Sequence, residues 1–304
     1  MLNILQAIIP VFALVLIGAW FKRKGFPGSG FWPMADQLTY YVLLPSLLIE
    51  KLALADLSGK AFLALAGIMF TSILLNGAIA ILSCFLGKIP ARGIPAVFQG
   101  SIRPNTYVAL AVANTLYGQD GLTVVALCLL IAVPLVNVLS VSTFALYIPE
   151  NSKRPNAIIK NIAKNPLVIA CVIGIFLNLT YIGLPLSSAD LLSIISKAAL
   201  PMGLLSVGNG LVLSNFRNML KPVFFAFFLK LLLLPFMVFN MCTYLGLNET
   251  VLYPVVLLAS VPCAVSSYIL TGQLKGDQPL MAGIITVETL LAIVTMPLVL
   301  FFIT

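Results

Sequence analysis

Residues 100–114 read Gly100-Ser-Ile-Arg103-Pro104-Asn105-Thr-Tyr107-Val-Ala-Leu-Ala-Val-Ala-Asn114, and residues 259–268 read Ala259-Ser-Val-Pro262-Cys263-Ala-Val-Ser266-Ser267-Tyr268. Each places a proline inside an apolar stretch, with polar side chains beside it. A proline deep in a helix removes one hydrogen bond and clashes with the carbonyl one turn back. In lipid, an opened backbone is tolerated only where protein or a watery cavity surrounds it. Pro104 and Pro262 therefore read as deliberate breaks in two membrane helices.

The two breaks belong to a longer correspondence. Pro10, Gly18 and Leu44-Pro45 recur 156 residues later as Pro166, Gly174 and Leu200-Pro201. Leu86-Gly87 and Pro95 recur at 159, Pro104 and Gly118 at 158 (Pro262, Gly276), and Asp120 at 157 (Asp277). A run of matches in order indicates a duplicated unit. A duplicated unit with an odd number of spans inserts upside down relative to its copy, the usual plan of secondary transporters, with the site at the paired broken helices.

Composition requires a membrane. The chain of 304 residues is 61% hydrophobic and 9% charged, with mean hydropathy +1.11, against about 25% charged residues in soluble domains. Spans are expected near 3–21, 34–55, 61–86, 95–117, 121–147, 162–182, 190–212, 222–245, 251–274 and 279–303, each about 20 residues or more for roughly 30 Å of hydrocarbon. The first stretch, followed directly by Lys22-Arg23-Lys24, reads as a span rather than a cleavable signal. Twelve of the 17 basic residues (Lys22, Arg23, Lys24, Lys88, Arg92, Lys153, Arg154, Lys160, Lys164, Arg217, Lys221 and Lys275) fall in alternate loops, against two (Lys51, Lys60) in the others. That bias places the rich loops in the cytoplasm and both termini outside. It explains the net charge of +8 without a nucleic-acid partner.

The expected fold is thus all-α, with ten transmembrane helices in two inverted five-helix repeats. Residues 1–147 form the first repeat, 148–161 a cytoplasmic linker and 162–304 the second. The expected location is the plasma (inner) membrane.

With no histidine in the chain, His-based metal sites and Ser-His or Cys-His catalysis are excluded. The five cysteines lie singly in apolar stretches and read as small buried hydrophobes. No metal, cofactor or enzymatic chemistry is expected. Arg103, Asn105 and Tyr107 beside one break, and Cys263, Ser266, Ser267 and Tyr268 beside the other, are the candidate substrate-binding residues. Arg103 either faces an anion or snorkels to the surface, and Lys230 reads as snorkelling. Lys197 is expected to pair with Asp36 or Asp190. Glu288, deep in the last span, is the candidate for coupling to H+ or Na+, its alternative being a structural pair with Arg103 or Lys230. Asp120 and Asp277 are expected to cap the following helices. Gly208-Asn209-Gly210 suggests a close helix approach or local unwinding.

Arg103-Pro104-Asn105-Thr106-Tyr107, running on to Gly118-Gln-Asp120, resembles the fourth span of the auxin efflux carrier family, which includes bacterial malonate or malate permeases and the plant PIN carriers. Leu43-Leu-Pro45-Ser-Leu-Leu, Leu200-Pro-Met-Gly-Leu-Leu-Ser-Val-Gly208, and the stretch from Val261-Pro262 to Gly276-Asp277 closing with Thr295-Met-Pro297 are similar to other parts of that family. The resemblance implies a fold related to bile-acid/sodium symporters and sodium/proton carriers. Spans 1, 2, 6 and 7 would form a dimeric scaffold, and spans 3–5 and 8–10 a transport domain moving in elevator fashion. It implies a small organic anion at the crossover of spans 4 and 9, with Asn105 as the first residue carried over. Cys263 departs from the pattern, since an asparagine there would mirror Asn105. Two alternatives stay open: an ion-coupled carrier of an amphipathic steroid-like acid, and a channel-like or sensory membrane protein.

Overall fold

The computed structural model describes residues 2–28, 30–54, 59–148, 166–184, 188–211 and 219–303. Among these the secondary structure is helical, apart from one isolated bridge. The expected linker at 148–161, apart from Ile148, and Asp56, Lys153, Arg154, Lys160, Lys164 and Arg217 with it, lie outside the described residues. The chain is an all-α membrane protein. Five of the described helices are long and apolar enough to cross a bilayer: Phe62–Leu86, Thr106–Tyr147, Ser188–Gly210, Leu220–Tyr244 and Gln278–Ile303.

In chain order the helices are α1 (Leu2–Lys24), α2 (Phe31–Leu38), α3 (Leu44–Ala53), α4 (Gly59–Leu86), α5 (Ile94–Ile102), α6 (Thr106–Tyr147) and α7 (Pro166–Leu179). They continue as α8 (Ser188–Ser196), α9 (Ala199–Gly210), α10 (Leu220–Phe228), α11 (Leu234–Tyr244), α12 (Glu249–Ser260), α13 (Ser266–Gln273) and α14 (Gln278–Ile303).

Proline chemistry explains two irregularities that periodicity does not reveal. α2 and α3 are joined by a π-helical turn, Thr39–Leu43, and α10 and α11 by another, Leu229–Leu233. Each is followed by a Leu-Pro pair, Leu44-Pro45 or Leu234-Pro235. The proline has no N–H to give and crowds the preceding turn. Widening that turn lets Leu44 N–H bond Thr39 O, and Leu234 N–H bond Leu229 O, five residues back. The repeat in sequence matched Pro45 with Pro201, but Pro201 lies in the first turn of α9. The turn that resembles that of Pro45 stands before Pro235. Pro235 thus follows a π-turn that carries Lys230, and π-turns recur at functional positions.

The 42-residue run of α6 would extend about 63 Å if straight, twice a hydrocarbon core. It is interrupted at Gly118, whose φ of 61° and ψ of −151° lie outside the helical region, a conformation open to glycine but strained for other residues.

α1 lies along α9, and α3 along α7. Both pairs approach through glycine. A Cβ at Gly18 would overlap the Leu205 carbonyl, and one at Gly208 the Val15 carbonyl. A Cβ at Gly174 would stand 2.8 Å from Leu52 Cβ and 3.3 Å from Ile49 Cα. Small residues let backbones approach closely where lipid supplies no hydrophobic drive between helices. Gly208 is therefore a close-approach residue, one of the two readings its sequence context offered.

Candidate functional site

The two breaks meet. α5 ends at Ile102 and Arg103 turns extended, with φ −88° and ψ 113°. α12 ends at Ser260 and Val261 is extended at φ −70° and ψ 151°. The extended segments run antiparallel, with Pro104 opposite Cys263 and Asn105 N–H donating to Pro262 O at 2.8 Å. Each opened backbone thus satisfies part of the other, as burial away from water demands. The Cys263 N–H donates instead to Glu288 Oε2 at 2.8 Å. Glu288, fully buried in α14, completes the backbone account of the second break.

Asn105 is the N-cap of α6. Its Oδ1 accepts from Tyr107 N–H at 3.2 Å and Val108 N–H at 3.3 Å, the exchange for which asparagine is favoured at that position. Its Nδ2 has no hydrogen-bond partner, although the residue is only 1% exposed. A buried amide donor left unpaired is disfavoured and is ready for an acceptor. The second break differs, because α13 starts without a side-chain cap.

Around the crossing runs a polar network. Arg103 donates to Gln99 Oε1 at 3.2 Å and to Asn137 Oδ1 at 2.7 Å. Gln99, fully buried, donates from Nε2 to Thr271 Oγ1 at 3.1 Å. This chain ties α5 and the first break to α6 and α13. Asn76 of α4 donates to Ser101 O at 2.6 Å, holding the last turn of α5. Lys230 is fully buried and donates to Ala259 O at 2.9 Å. Beside it lies a cavity of about 20 Å³ lined by Ile102, Pro104, Lys230, Leu258 and Ala259 among others, room for about one water.

The sequence-derived candidates divide. Arg103, Pro104, Asn105, Pro262, Cys263 and Ser267 come together, with Cys263 Sγ 3.2 Å from Ser267 Oγ, and Glu288 joins them through the Cys263 N–H. Tyr107 lies in the first turn of α6, half-buried, its ring against Gly203 of α9. Ser266 and Tyr268 are exposed on α13 and stand apart from the cluster. Neither Arg103, for which snorkelling is one of two readings, nor Lys230, read as snorkelling, does so. Arg103 turns to Gln99 and Asn137, and Lys230 points to the end of α12, because each finds oxygen acceptors within the protein. Lys197 is exposed and makes no ion pair, and Asp36 instead accepts from Ser206 Oγ. Among the described residues the one salt bridge joins Lys51 to Glu50, at 2.7 Å. Asp277 caps α14 by accepting from Leu280 N–H at 3.0 Å, whereas Asp120, two residues past the interruption at Gly118, is exposed and makes no capping hydrogen bond among the described residues.

Sequence reasoning missed Gln99, Asn137, Asn76 and Thr271. Gln99 had a signal, lying four residues before Arg103 on the same helical face. Glu50 is buried in α3 and also accepts from Ser196 Oγ at 2.8 Å.

Residues 151–300 match the profile of a family described as membrane transport protein. A protein of Methanothermobacter thermautotrophicus named "Uncharacterized transporter" is 27% identical over 305 residues, covering 96% of each chain. The likeness to that family runs through the second half of the chain. The resemblance to auxin efflux carriers is borne out at that level, and the family is one of transporters rather than enzymes. In a transporter, a buried crossing of two broken helices with an unpaired amide donor is the natural place to seek the solute.

Proposed function

We propose that this transporter is a secondary carrier of a small organic carboxylate anion, bound where residues 102–106 cross residues 260–266 and moved by alternating access. The observation that carries the reading is Asn105. Its Nδ2 is a buried, unpartnered donor at the N-terminus of α6, where helix N–H groups and the macrodipole favour negative charge. The formal charges around it, Arg103 and Lys230 against Glu288, leave one net positive charge for an anion to neutralise. Two of the five N–H donors of Arg103 are taken by Gln99 and Asn137, which leaves others for a carboxylate.

The architecture proposed with it is ten spans in two inverted repeats, 1–147 and 162–304, with both termini outside the plasma membrane. Supporting the repeat, Gly18 packs on Leu205 and Gly174 on Ile49, so that both the glycines and their contacts are displaced by 156 residues. Spans 1, 2, 6 and 7 would be the scaffold and dimer surface, with the remaining spans moving in elevator fashion.

The test is counterflow in proteoliposomes loaded with malonate, malate or other dicarboxylates. Saturable exchange of labelled anion is expected, and failure of all small carboxylates to exchange would overturn the anion reading. Flux that rises linearly with concentration and lacks counterflow would indicate a channel. Arg103→Ala is expected to weaken carboxylate affinity by about ten- to a hundredfold, the size of one charge-assisted hydrogen bond. Equal loss for a neutral amide analogue would assign Arg103 to structure alone.

A further inference from the structure

Lys230 is an unusual buried group. It sits in the π-turn between α10 and α11 with no solvent exposure, and its ammonium donates to Ala259 O at 2.9 Å. That carbonyl belongs to the last turn of α12, where helical carbonyls lack internal partners and the macrodipole is negative. The ammonium also feels the charge of Glu288, although the two make no ion pair among the described residues. On the far side of the break, Glu288 spends Oε2 on Cys263 N–H, while Oε1 has no hydrogen-bond partner. Beside a small cavity lined mostly by apolar side chains, a helix-end carbonyl and a carboxylate with a free oxygen together make a cation environment. Into it the chain places the nitrogen of its own lysine.

We propose that Lys230 is a tethered cation, its ammonium standing where a free coupling cation would bind between the end of α12 and Glu288, so that the crossover keeps its positive charge without sodium. The inference deepens the carrier reading and rests on it for its functional meaning. Physically, the half-helix end and the carboxylate call for one positive charge in the membrane interior. A covalent ammonium supplies it in every state of the cycle, whereas a bound ion leaves with its gradient. The titratable groups that act on Lys230 are the Glu288 carboxyl from α14 and the uncharged Cys263 thiol at the break.

The probe is the monovalent cation alone, with no organic substrate, so the test stands even if no carboxylate is ever transported. Thermal unfolding of purified protein is followed in sodium, choline and methylammonium chloride at equal ionic strength. Wild type is expected to unfold at the same temperature in sodium and in choline. Lys230→Ala, which leaves Glu288 buried without its cation, should unfold roughly 10 °C lower and recover several degrees in sodium or methylammonium but not in choline. Lys230→Met, similar in length but uncharged, should be destabilised like the alanine variant, and combining it with Glu288→Gln should restore much of the loss. Sodium-specific stabilisation of wild type would overturn the proposal. So would a Lys230→Met variant as stable as wild type, which would make the side chain a filler. If Lys230→Ala does not fold, the wild-type sodium comparison and the Lys230→Met/Glu288→Gln pair decide the matter alone.

Discussion

Asn105→Ala should lower anion transport by about a hundredfold or more while leaving a folded protein. The two consequences come from two atoms of one side chain. Oδ1 caps α6 through Tyr107 and Val108 N–H, and losing a cap costs about 1 kcal/mol, a drop of a few degrees in unfolding temperature. Nδ2 has no partner among the described residues, so its removal should cost the fold nothing and cost the anion its donor at the centre of the crossing. A substitution that parts the two atoms sharpens the test. Asn105→Asp keeps a cap oxygen, and aspartate caps as well as asparagine, but it replaces the donor with a negative acceptor. It is expected to hold wild-type stability and lose carboxylate counterflow entirely. If Asn105→Asp transports at more than a tenth of the wild-type rate, the anion is not bound by Nδ2 and the site lies elsewhere. If both variants fail to fold, Asn105 is a structural cap at a tight crossing and the functional reading of its amide falls.

Much of this crossing was legible in the residues. Proline with polar neighbours at membrane depth is hard to place except at an enclosed break, and both breaks lie at such prolines. The apolar stretches likewise located helices to within a few residues, because hydrocarbon thickness leaves little choice of length. What was not legible depends on which side of a helix faces which neighbour. Arg103 and Lys230 stand eight or nine residues into their expected spans, a depth from which a long side chain reaches either the surface or the interior. The choice was made by oxygen acceptors on other helices, Asn137 in one case and Ala259 in the other, whose proximity no local pattern encodes. Gln99 shows a subtler limit, since a neutral amide in an apolar helix draws little notice beside a charge. Yet it is Gln99 that joins Arg103 to Thr271.

The repeat also hides how unequal its halves are. At the common displacement of 158 residues, Asn105 corresponds to Cys263, Arg103 to Val261 and Gln99 to Leu257. The donors at the crossing therefore come from the first half. The second half supplies Glu288, which holds the Cys263 N–H, and Lys230, which holds the end of α12. Glu288 has an apolar counterpart near residue 130, within Leu129-Leu-Ile131. On the proposed reading, one half would offer groups to a ligand and the other fix charge around it. A duplicated sequence can diverge in this way because backbone pairing at the breaks needs only one partner from each copy.

The same repeat makes a prediction far from the crossing, at the joint of α1 with α9. Gly208→Leu should abolish recovery of folded, monodisperse protein. The space that a Cβ would need at Gly208 is occupied by the Val15 backbone carbonyl, and at Gly18 by that of Leu205. Backbone cannot swing aside as a side-chain tip can, so a leucine at 208 must push α1 away along its length and open the close packing that holds membrane helices together. Gly174→Ala tests the corresponding joint of α7 with α3, where the nearest atom to an added Cβ is a side-chain carbon, Leu52 Cβ at 2.8 Å. Overpacking of that kind typically costs about 1–3 kcal/mol, so the variant should fold and unfold several degrees below wild type. The order matters as much as the sizes. Gly18 and Gly174, 156 residues apart in sequence, sit on contacts also 156 residues apart, the first against a backbone carbonyl and the second against Leu52 Cβ and the Ile49 backbone. A Gly208→Leu protein as stable as wild type would mean that α1 and α9 do not touch there. It would also remove the structural support for treating the two joints as copies of one.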